Sequence, residues 1–345
     1  MNIVQEQDIR EFAQNFSLSS RLAKSVFLVT GGTGLIGSTL IHCLLALGQS
    51  IDVIAPVRNA DKAKGMFSDT ELEHIRLIQC DIVTYDYNQI SDVDYIVHCA
   101  APTGSRFFVE HPVETFNIII DGTKVLLEYA KNNPVKGFVY LSSLEVYGEI
   151  HDDSEYVTEK KQGHLDILSV RSSYPMAKRA AETLCYLYAD EYEVPVRIAR
   201  LTQTTGAGIA PDDNRVIAQF ARLAAHSEDI VLHTTGEAAR PYCYATDAIS
   251  AILYILLKGR DGDAYNVSNE DTYISARGMA EYLRDSFNPD IQVRIELNDK
   301  MGYAPATKLR LSSEKLRSLG WKPNLGLKDI FEKLFEYFKC YDAEI

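Results

Sequence analysis

The sequence has no long uninterrupted run of apolar residues, although 46% of its 345 residues are hydrophobic. A transmembrane helix needs about 20 consecutive apolar residues. The first residues also lack the basic stretch followed by an apolar stretch that is typical of a secretory signal peptide. We therefore expect no membrane partner, and a chain of this length is able to bury a large core.

Basic residues are scarce, since 35 lysines and arginines stand against 48 aspartates and glutamates, for a formal net charge of -13. A protein that binds a nucleic-acid backbone needs clustered lysine and arginine. The composition thus argues against a nucleic-acid partner. A small anionic ligand remains compatible, because a few well-placed arginines can bind one inside an acidic protein.

The six cysteines are scattered, without the paired spacing of a zinc site or a disulfide framework. We interpret most of them as small buried hydrophobic residues. Unpaired thiols are typical of a reducing compartment, so we expect a cytoplasmic protein with no bound metal.

Short apolar segments alternate with helical stretches through the first 200 residues. The predicted strands are 25–30, 51–55, 75–79, 95–99, 138–141 and 196–199. This alternation predicts an α/β fold of the Rossmann type, with a doubly wound parallel sheet. Beyond Leu201 the pattern is less regular, apart from helices near 216–225 and 327–338.

We predict three parts for the chain. Residues 1–24 form an N-terminal helical extension that packs on the rest, and residues 25–200 form the Rossmann domain. Residues 201–345 form mainly a smaller, substrate-binding lobe across the carboxyl edge of the sheet, with some segments returning to that sheet.

A glycine-rich turn, Gly31-x-x-Gly34-x-x-Gly37, directly follows the first strand and precedes a helix. This is the context that a dinucleotide-binding turn requires. Gly31 and Gly34 would permit positive φ and close backbone approach, while Gly37 would let the helix pack on the strand and present its amino terminus to a pyrophosphate. The predicted cofactor contacts in this turn and after the fourth strand are Gly31, Thr33, Gly34, Leu35, Ile36, Gly37, Ala100 and Ala101.

Two further strand ends are candidate contacts for the adenosine of an NAD or NADP cofactor. After the third strand, the Asp81 carboxylate is able to accept from the adenine amino group while the Ile82 amide donates; an ordinary strand-end turn is the alternative. The second strand ends near Arg58 and carries no acidic residue there. An acidic residue at this position favours NAD, and an arginine accommodates the 2′-phosphate of NADP. Arg58 therefore favours NADP, the alternative being a solvated loop charge.

Tyr174 and Lys178 are four residues apart in a predicted helix before the strand 196–199. This spacing places both side chains on one face of the helix. A lysine ammonium in that position can stabilise a tyrosine phenolate near neutral pH. Tyr174 is therefore a candidate general base.

Several motifs follow one another along the chain in a fixed order. They are the glycine turn, Asp81-Ile82, Leu141-Ser-Ser-Leu-Glu-Val-Tyr-Gly148, Tyr174-x-x-x-Lys178, and segments 236–247, 264–268 and 319–323. In this order the motifs resemble those of the extended short-chain dehydrogenase/reductase family. Within that family, the resemblance is to nucleotide-sugar epimerases, dehydratases and decarboxylases, and it covers nearly the whole chain.

The resemblance implies roles for residues near the helix of Tyr174. It implies that Tyr174 is the catalytic base, that Lys178 binds the nicotinamide ribose and lowers the pKa of the tyrosine, and that Ser143 hydrogen-bonds the reacting hydroxyl. Glu145 is a possible second base, or else a structural carboxylate bonded to loop amides. The resemblance also implies a homodimer formed through the two helices that flank the sheet.

The same resemblance implies a nucleotide-diphosphate sugar as the substrate. Arg240 and Arg215 would hold its diphosphate, with a surface salt bridge as the alternative for each arginine. Gln203 replaces an asparagine that the family usually places in a substrate-contacting loop. This difference from the family pattern is compatible with a substrate other than an ordinary UDP-hexose.

Leu144 bears on the choice of reaction, because dehydratases of this family typically place an acid or a hydroxyl residue there, directly before the glutamate. Leucine is unable to protonate a departing hydroxyl, so a 4,6-dehydratase loses support. Decarboxylases often carry a hydroxyl residue at this position too. However, segments 171–174 and 214–216 of this chain resemble the corresponding segments of the decarboxylases.

The leading hypothesis is an NAD(P)-dependent nucleotide-sugar epimerase that works through a transient keto intermediate and consumes no cofactor. A decarboxylase of the UDP-glucuronate type is the first alternative, followed by a 4,6-dehydratase or an NADPH-dependent ketone reductase. A hypothesis of a different class is an NAD(P)-sensing binding protein without chemistry. Intact Ser143, Tyr174 and Lys178 argue against that last hypothesis.

Overall fold

The computed structural model of the chain describes residues 1–298 and 306–343. The α-helices in these ranges are α1 (Ile3–Asn15), α2 (Leu35–Ala46), α3 (Ala60–Lys64), α4 (Asp69–Leu72), α5 (Ser105–Glu110), α6 (Pro112–Asn132), α7 (Ser173–Tyr192), α8 (Val216–Ala225), α9 (Ala245–Lys258), α10 (Ala276–Ser286), α11 (Glu314–Arg317) and α12 (Leu327–Ala343). The strands are β1 (Val26–Thr30), β2 (Asp52–Val57), β3 (Ile75–Gln79), β4 (Tyr95–His98), β5 (Gly137–Ser143), β6 (Val196–Leu201), β7 (Gln203–Thr205), β8 (Ile230–Leu232), β9 (Ala239–Tyr244), β10 (Ala264–Val267), β11 (Asn269–Ser275) and β12 (Val293–Ile295). None of the helices described here has the length and apolar character needed to cross a membrane.

Seven strands form one parallel sheet in the order β10-β6-β5-β4-β1-β2-β3. The strand order reverses between β1 and β4. Open α/β sheets bind their ligands outside the carboxyl ends of the strands at such a reversal. The predicted doubly wound, Rossmann-type fold is confirmed, and the expected ligand crevice lies next to the ends of β1 and β4.

Helices cover both faces of the large sheet. Apolar residues of α6 and α7 pack on one face, and those of α2 and α9 pack on the other. Strands buried on both faces have continuous apolar sequences instead of alternating ones. This explains why the apolar runs of β1, β4 and β5 were sufficient to predict them.

The sequence pattern did not predict β10, which pairs with β6 at the edge of the large sheet. The strand is only four residues long and contains the fully buried Asn266. Asn266 accepts from the Tyr147 hydroxyl at 2.6 Å and donates to the Ser312 carbonyl at 2.9 Å. A short strand with a satisfied polar residue at its centre gives no clear apolar pattern.

The smaller lobe contains a three-stranded sheet, β11-β9-β7, and a pair of parallel strands, β12-β8. Side chains from α8, α10 and α12 form a separate hydrophobic core beneath these strands. The segment between β5 and α7 also contacts the carboxyl-terminal part of the chain, because Val157 forms a β-bridge with Leu311. The limits of the substrate-binding lobe remain a prediction, with β10 and α9 as the segments that return to the large sheet.

Candidate active site

The glycine turn joins β1 to α2 where only glycine fits at two positions. Gly31 has a φ of 70°, and a Cβ built on it would lie 2.8 Å from the Ala100 backbone nitrogen. A Cβ on Gly37 would lie 2.2 Å from the Gly31 carbonyl oxygen. These distances are far below van der Waals contact. The backbone of the turn therefore lies directly against the backbone at the end of β4 and against the first turn of α2, with no space for a side chain between them.

The prediction of a positive φ at Gly34 is wrong. Gly34 has a φ of -89° and caps α2 without a side-chain hydrogen bond. A Cβ there would meet only the Gly31 carbonyl oxygen, at an ordinary 3.5 Å. Nothing in the turn itself therefore excludes a side chain at this exposed position.

The turn fits the pyrophosphate of a dinucleotide. The first backbone amides of α2, at Leu35 and Ile36, have no partner within the helix, and the helix dipole favours an anion at this end. Thr33 and Gly34 form the rim of the turn in front of these amides. The predicted pyrophosphate contacts are thus adjacent in space.

Ala100 and Ala101 follow β4 beside the glycine turn. The Ala100 amide donates to the Thr30 hydroxyl at 3.3 Å, and the same hydroxyl lies 2.7 Å from His98 Nδ1. Burial, with a smaller effect of Lys178, lowers the pKa of His98 to about 3. His98 is therefore a neutral, packed strand residue that helps to hold the ends of β1 and β4 together.

Asp81 lines an open cavity of 670 Å³ between the end of β3 and the start of α6. Its carboxylate accepts from the Val83 amide at 2.8 Å, which is the strand-end turn considered above as the alternative. Ile82 contacts α6 at Gly122, where a Cβ would lie 3.1 Å from the isoleucine Cδ1. Arg58 is exposed just after β2. The structure is compatible with both interpretations of Asp81, since the residue closes its own turn and also faces the cavity.

Tyr174 and Lys178 lie in the first two turns of α7, next to Ser143 at the end of β5. Ser143 is close enough to the tyrosine to act on its pKa, and its hydroxyl also accepts from the Glu145 amide at 3.2 Å. Lys178 Nζ donates to the Leu141 carbonyl at 2.7 Å. Burial lowers the pKa of Lys178 to about 8. The three predicted residues are therefore brought together at the carboxyl edge of the sheet.

The pKa of Tyr174 is raised in this structure, whereas the family resemblance implied that Lys178 lowers it. Burial is the main cause and the Glu145 charge adds to it, while the Ser143 hydrogen bond and the Arg171 charge act in the opposite direction. Lys178 Nζ lies 5.8 Å from the centre of the Tyr174 ring, and it is hydrogen-bonded elsewhere. Burial therefore decides the direction of the shift, and Lys178 is not among the neighbours that act on this pKa.

Phe108 is a neighbour of Tyr174 that the sequence motifs did not indicate. Its ring, on α5, stacks on the Tyr174 ring with centroids 4.3 Å apart and planes within 10°. The Ser173 hydroxyl donates to the Phe108 carbonyl at 3.1 Å and fixes α5 against α7. A ligand that occupies this face of Tyr174 must displace the phenylalanine. The two residues are distant in sequence, so no local spacing could have revealed the contact.

Glu145 forms a two-pronged ion pair with Arg171, and both nitrogen–oxygen distances are 3.1 Å. Both side chains are partly exposed beside Tyr174. Leu144 is only 4% exposed and packs in an apolar cluster with Ile150 and Leu309. Leu144 and Glu145 are adjacent in the same short turn, yet the leucine side chain lies in the core while the glutamate carboxylate lies beside Tyr174.

The predicted substrate contacts lie on the smaller lobe. Gln203 and Arg240 are on the adjacent strands β7 and β9. Arg215 precedes α8, where its guanidinium binds the Asp213 carboxylate with a shortest distance of 2.6 Å and donates to the Thr204 carbonyl at 2.8 Å. Arg215 thus already has partners within the chain, and a diphosphate would have to compete for it. The roles of all three residues remain predictions.

Comparisons with known proteins agree on one family. The sequence model of the NAD dependent epimerase/dehydratase family matches residues 27–268. UDP-glucuronic acid decarboxylase 6 of Arabidopsis thaliana is 28% identical, over 90% of this chain and 88% of its own. Human dTDP-D-glucose 4,6-dehydratase is 29% identical, over 94% and 92%. The structure of Bacillus cereus UDP-glucuronic acid 4-epimerase, with UDP-glucuronic acid and NAD, superposes with a TM-score of 0.77 at 23% identity, over 91% of this chain and 99% of that one.

Alanine substitutions at Gly31 and Gly34 should distinguish an effect on stability from an effect on ligand binding. We expect Gly31→Ala to lower the free energy of unfolding by about 2–4 kcal/mol, because it adds a backbone clash to a positive φ. Gly34→Ala should change that free energy by less than about 1 kcal/mol, since its φ and its surroundings accept a Cβ. Urea unfolding measures both effects.

The same pair of variants tests the cofactor site by calorimetric titration with NAD and NADP. Gly34→Ala should weaken binding at least about tenfold, because the added methyl group occupies the approach to the first amides of α2. Unchanged affinity in a folded Gly34→Ala protein would contradict the placement of the pyrophosphate.

Proposed function

Because the chain belongs to the NAD-dependent epimerase/dehydratase family, we propose that it epimerises a nucleotide sugar by transient oxidation and re-reduction. The observation that supports this most directly is the arrangement of Tyr174, Ser143 and Lys178 at the sheet edge that also carries the glycine turn. The family consists of enzymes, and the relatives named above act on nucleotide sugars. A binding protein without chemistry has no comparable support.

The proposed reaction assigns a task to each residue. The nicotinamide, when bound, supplies the acceptor and then the donor of a hydride. Tyr174 removes the proton of the sugar hydroxyl, and Ser143 holds that hydroxyl in place. Lys178 holds the ribose and stabilises the phenolate. When the hydride returns to the opposite face of the keto carbon, return of the proton from Tyr174 to the keto oxygen completes the epimerisation with no net change of cofactor.

A uronic acid is the substrate class that we propose. Arg171 places a guanidinium beside Tyr174, and its fork geometry suits a carboxylate, as its pairing with Glu145 illustrates. A sugar carboxylate could take the place of Glu145 on Arg171. Gln203 and Arg240, on the facing lobe, are the proposed contacts for the rest of the nucleotide sugar, with Arg215 able to join after exchange of its Asp213 partner.

A UDP-glucuronate decarboxylase is the second candidate function. Segment 171–174 resembles the corresponding segment of those enzymes, and a keto acid loses carbon dioxide without help from an acid at position 144. A 4,6-dehydratase is disfavoured, because Leu144 is buried in an apolar cluster and cannot protonate a leaving hydroxyl. A ketone reductase is disfavoured by the paired Glu145 and Arg171, which a simple hydride transfer does not require.

We also propose a cytoplasmic homodimer. All six cysteines are free thiols, which suits a reducing compartment. Large apolar side chains are exposed on the outer faces of α6 and α7, among them Val113, Phe116, Tyr186 and Leu187. Such a surface is suited to pairing with a second copy through these two helices.

UDP-glucuronic acid is the sharpest probe of the reaction, since the two candidate functions convert it to different products. We expect the purified enzyme with NAD or NADP to form the 4-epimer, without release of carbon dioxide and without net reduction of cofactor. Anion-exchange chromatography separates the epimer from the substrate and from a pentose product. Release of carbon dioxide with a UDP-pentose would instead establish the decarboxylase.

Tyr174→Phe is the matched control for this assay. It should reduce turnover by at least about a thousandfold while leaving cofactor affinity nearly unchanged, because it removes only the proton-transferring hydroxyl. Wild-type turnover in this variant would rule out the proposed chemistry for both candidate functions.

The lowered pKa of Lys178 predicts a pH dependence. The charged ammonium is the form that holds a ribose and stabilises a phenolate, and burial lowers its pKa to about 8. The value of kcat/KM, which reports groups of the free enzyme, should therefore fall above about pH 8 as the lysine loses its proton. Steady-state rates from pH 6.5 to 10 test this, and Lys178→Arg should shift any falling limb to higher pH. A flat profile up to pH 10 would show that the charge of Lys178 is not needed.

Arg58 predicts the choice between the two cofactors. If its guanidinium binds a 2′-phosphate, Arg58→Ala should weaken NADP binding about tenfold or more and leave NAD binding nearly unchanged. Lys62→Ala is the matched control, because Lys62 is another exposed cation in the helix that follows Arg58. If both substitutions weaken NADP binding equally, Arg58 contributes only a general electrostatic attraction. If neither substitution weakens NADP binding, the argument for NADP fails and NAD is the expected cofactor.

A further inference from the structure

Helix α1 belongs to two hydrophobic cores at once. Val4, in its first turn, is fully buried in the core of the smaller lobe, next to residues of α8 and α12. Phe12, near its end, and Phe16, just after it, are buried in the core that covers the large sheet, next to residues of α2 and α9. A helix of 13 residues thus connects the two parts of the molecule.

Between these two apolar ends, α1 places a carboxylate in the interior. Asp8 is 5% exposed and accepts from the Tyr244 hydroxyl at 2.5 Å and from Lys333 Nζ at 2.8 Å. The Tyr244 hydroxyl in turn accepts from the Ala207 amide at 3.2 Å. This chain of hydrogen bonds links α1 through the end of β9 to the loop after β7.

The first turn of α1 also touches that loop directly. Gly208 has a φ of 98°, and a Cβ built on it would lie 2.7 Å from Gln5 Nε2 and 3.7 Å from Leu35 Cδ1. Gln5 is itself held by the capping box with Asn2. The loop therefore passes between the first turn of α1 and the first residue of α2.

The position of this loop matters because of what lies on either side of it. It follows β7, which begins with the proposed substrate contact Gln203, and it leads to Arg215, which donates back to the Thr204 carbonyl. On its other side, Leu35 opens the helix whose amino terminus fits a pyrophosphate. The loop 206–209 is thus the place where the proposed substrate segment meets the cofactor segment.

We propose that α1 is a clasp that positions loop 206–209 against the start of α2, and that it thereby sets the geometry of the substrate site. Relative motion is the default expectation for two lobes unless a large apolar interface joins them. A helix anchored in both cores opposes that motion, and its interior hydrogen bonds through Asp8 and Tyr244 direct the restraint to one loop. The predicted effect on substrate binding rests on the proposed function, whereas the effect on the loop does not.

Hydrogen exchange measured by mass spectrometry tests the clasp without any assumption about activity. Tyr244→Phe removes only the hydroxyl that joins Asp8 to the Ala207 amide. Amides of residues 206–209 should then exchange about three to ten times faster than in the wild type, the range expected for the loss of one buried hydrogen bond. Exchange in the central strands of the large sheet should stay unchanged.

Gln5→Ala provides a milder variant in case Tyr244→Phe does not fold, since it removes the side chain that contacts Gly208. Gln7→Ala is its matched control, because Gln7 is exposed on the same helix. Steady-state kinetics should show KM for the nucleotide sugar raised about three to ten times in Gln5→Ala, with kcat and cofactor affinity within about twofold. Gln7→Ala should match the wild type in every measurement.

The outcomes separate the clasp from a purely stabilising helix. Wild-type exchange at residues 206–209 in both Tyr244→Phe and Gln5→Ala would overturn the proposal, even if the free energy of unfolding fell. Faster exchange with an unchanged KM would also overturn it, because the loop would then not position the substrate. If the wild type shows no turnover at all, the proposed function fails, and the affinity for UDP measured by calorimetry replaces KM as the test of the clasp.

Discussion

The backbone contact between Gly31 and Ala100 is the constraint on which the rest of the candidate site depends. β1 and β4 are neighbours at the reversal of the sheet, and their carboxyl ends approach so closely that no Cβ fits at Gly31. Gly37 adds a second contact of the same kind, so the start of α2 lies directly against the end of β1. The amino terminus of a helix is thereby fixed at the edge of the sheet where Ser143, Tyr174 and Lys178 also lie.

Burial then determines the chemistry at that edge. It raises the pKa of Tyr174 and lowers that of Lys178, so both residues are moved toward their neutral forms. A tyrosine with a raised pKa stays protonated near neutral pH and accepts no proton until a nearby positive charge lowers that pKa. Phe108 also covers one face of the ring. In the reaction that we propose, a ligand that reaches this face of Tyr174 would first have to displace the phenylalanine.

The sequence was informative where the physical signal is local and uninformative where it is not. Apolar runs in strands buried on both faces, and glycines at fixed offsets after such a strand, were enough to predict the sheet and the turn. β10 was missed because Asn266 interrupts its apolar pattern. Phe108 and the partners of Asp8 depend on contacts between residues far apart in sequence, such as Asp8 with Tyr244, which are 236 positions apart. Gly34 has the extended backbone of a helix N-cap, with a φ of -89°, and the glycine spacing alone did not distinguish this from a positive φ.

The ion pair of Glu145 and Arg171 also bears on the choice between the two reactions. A guanidinium that binds a sugar carboxylate stabilises the negative charge of the substrate. Decarboxylation turns that carboxylate into neutral carbon dioxide, so the binding energy is lost as the transition state forms. Epimerisation keeps the carboxylate intact, and the same contact stabilises substrate and transition state alike. If Arg171 binds the carboxylate, as we propose, it therefore slows the loss of carbon dioxide from a keto intermediate relative to re-reduction, which is the physical reason for preferring the epimerase.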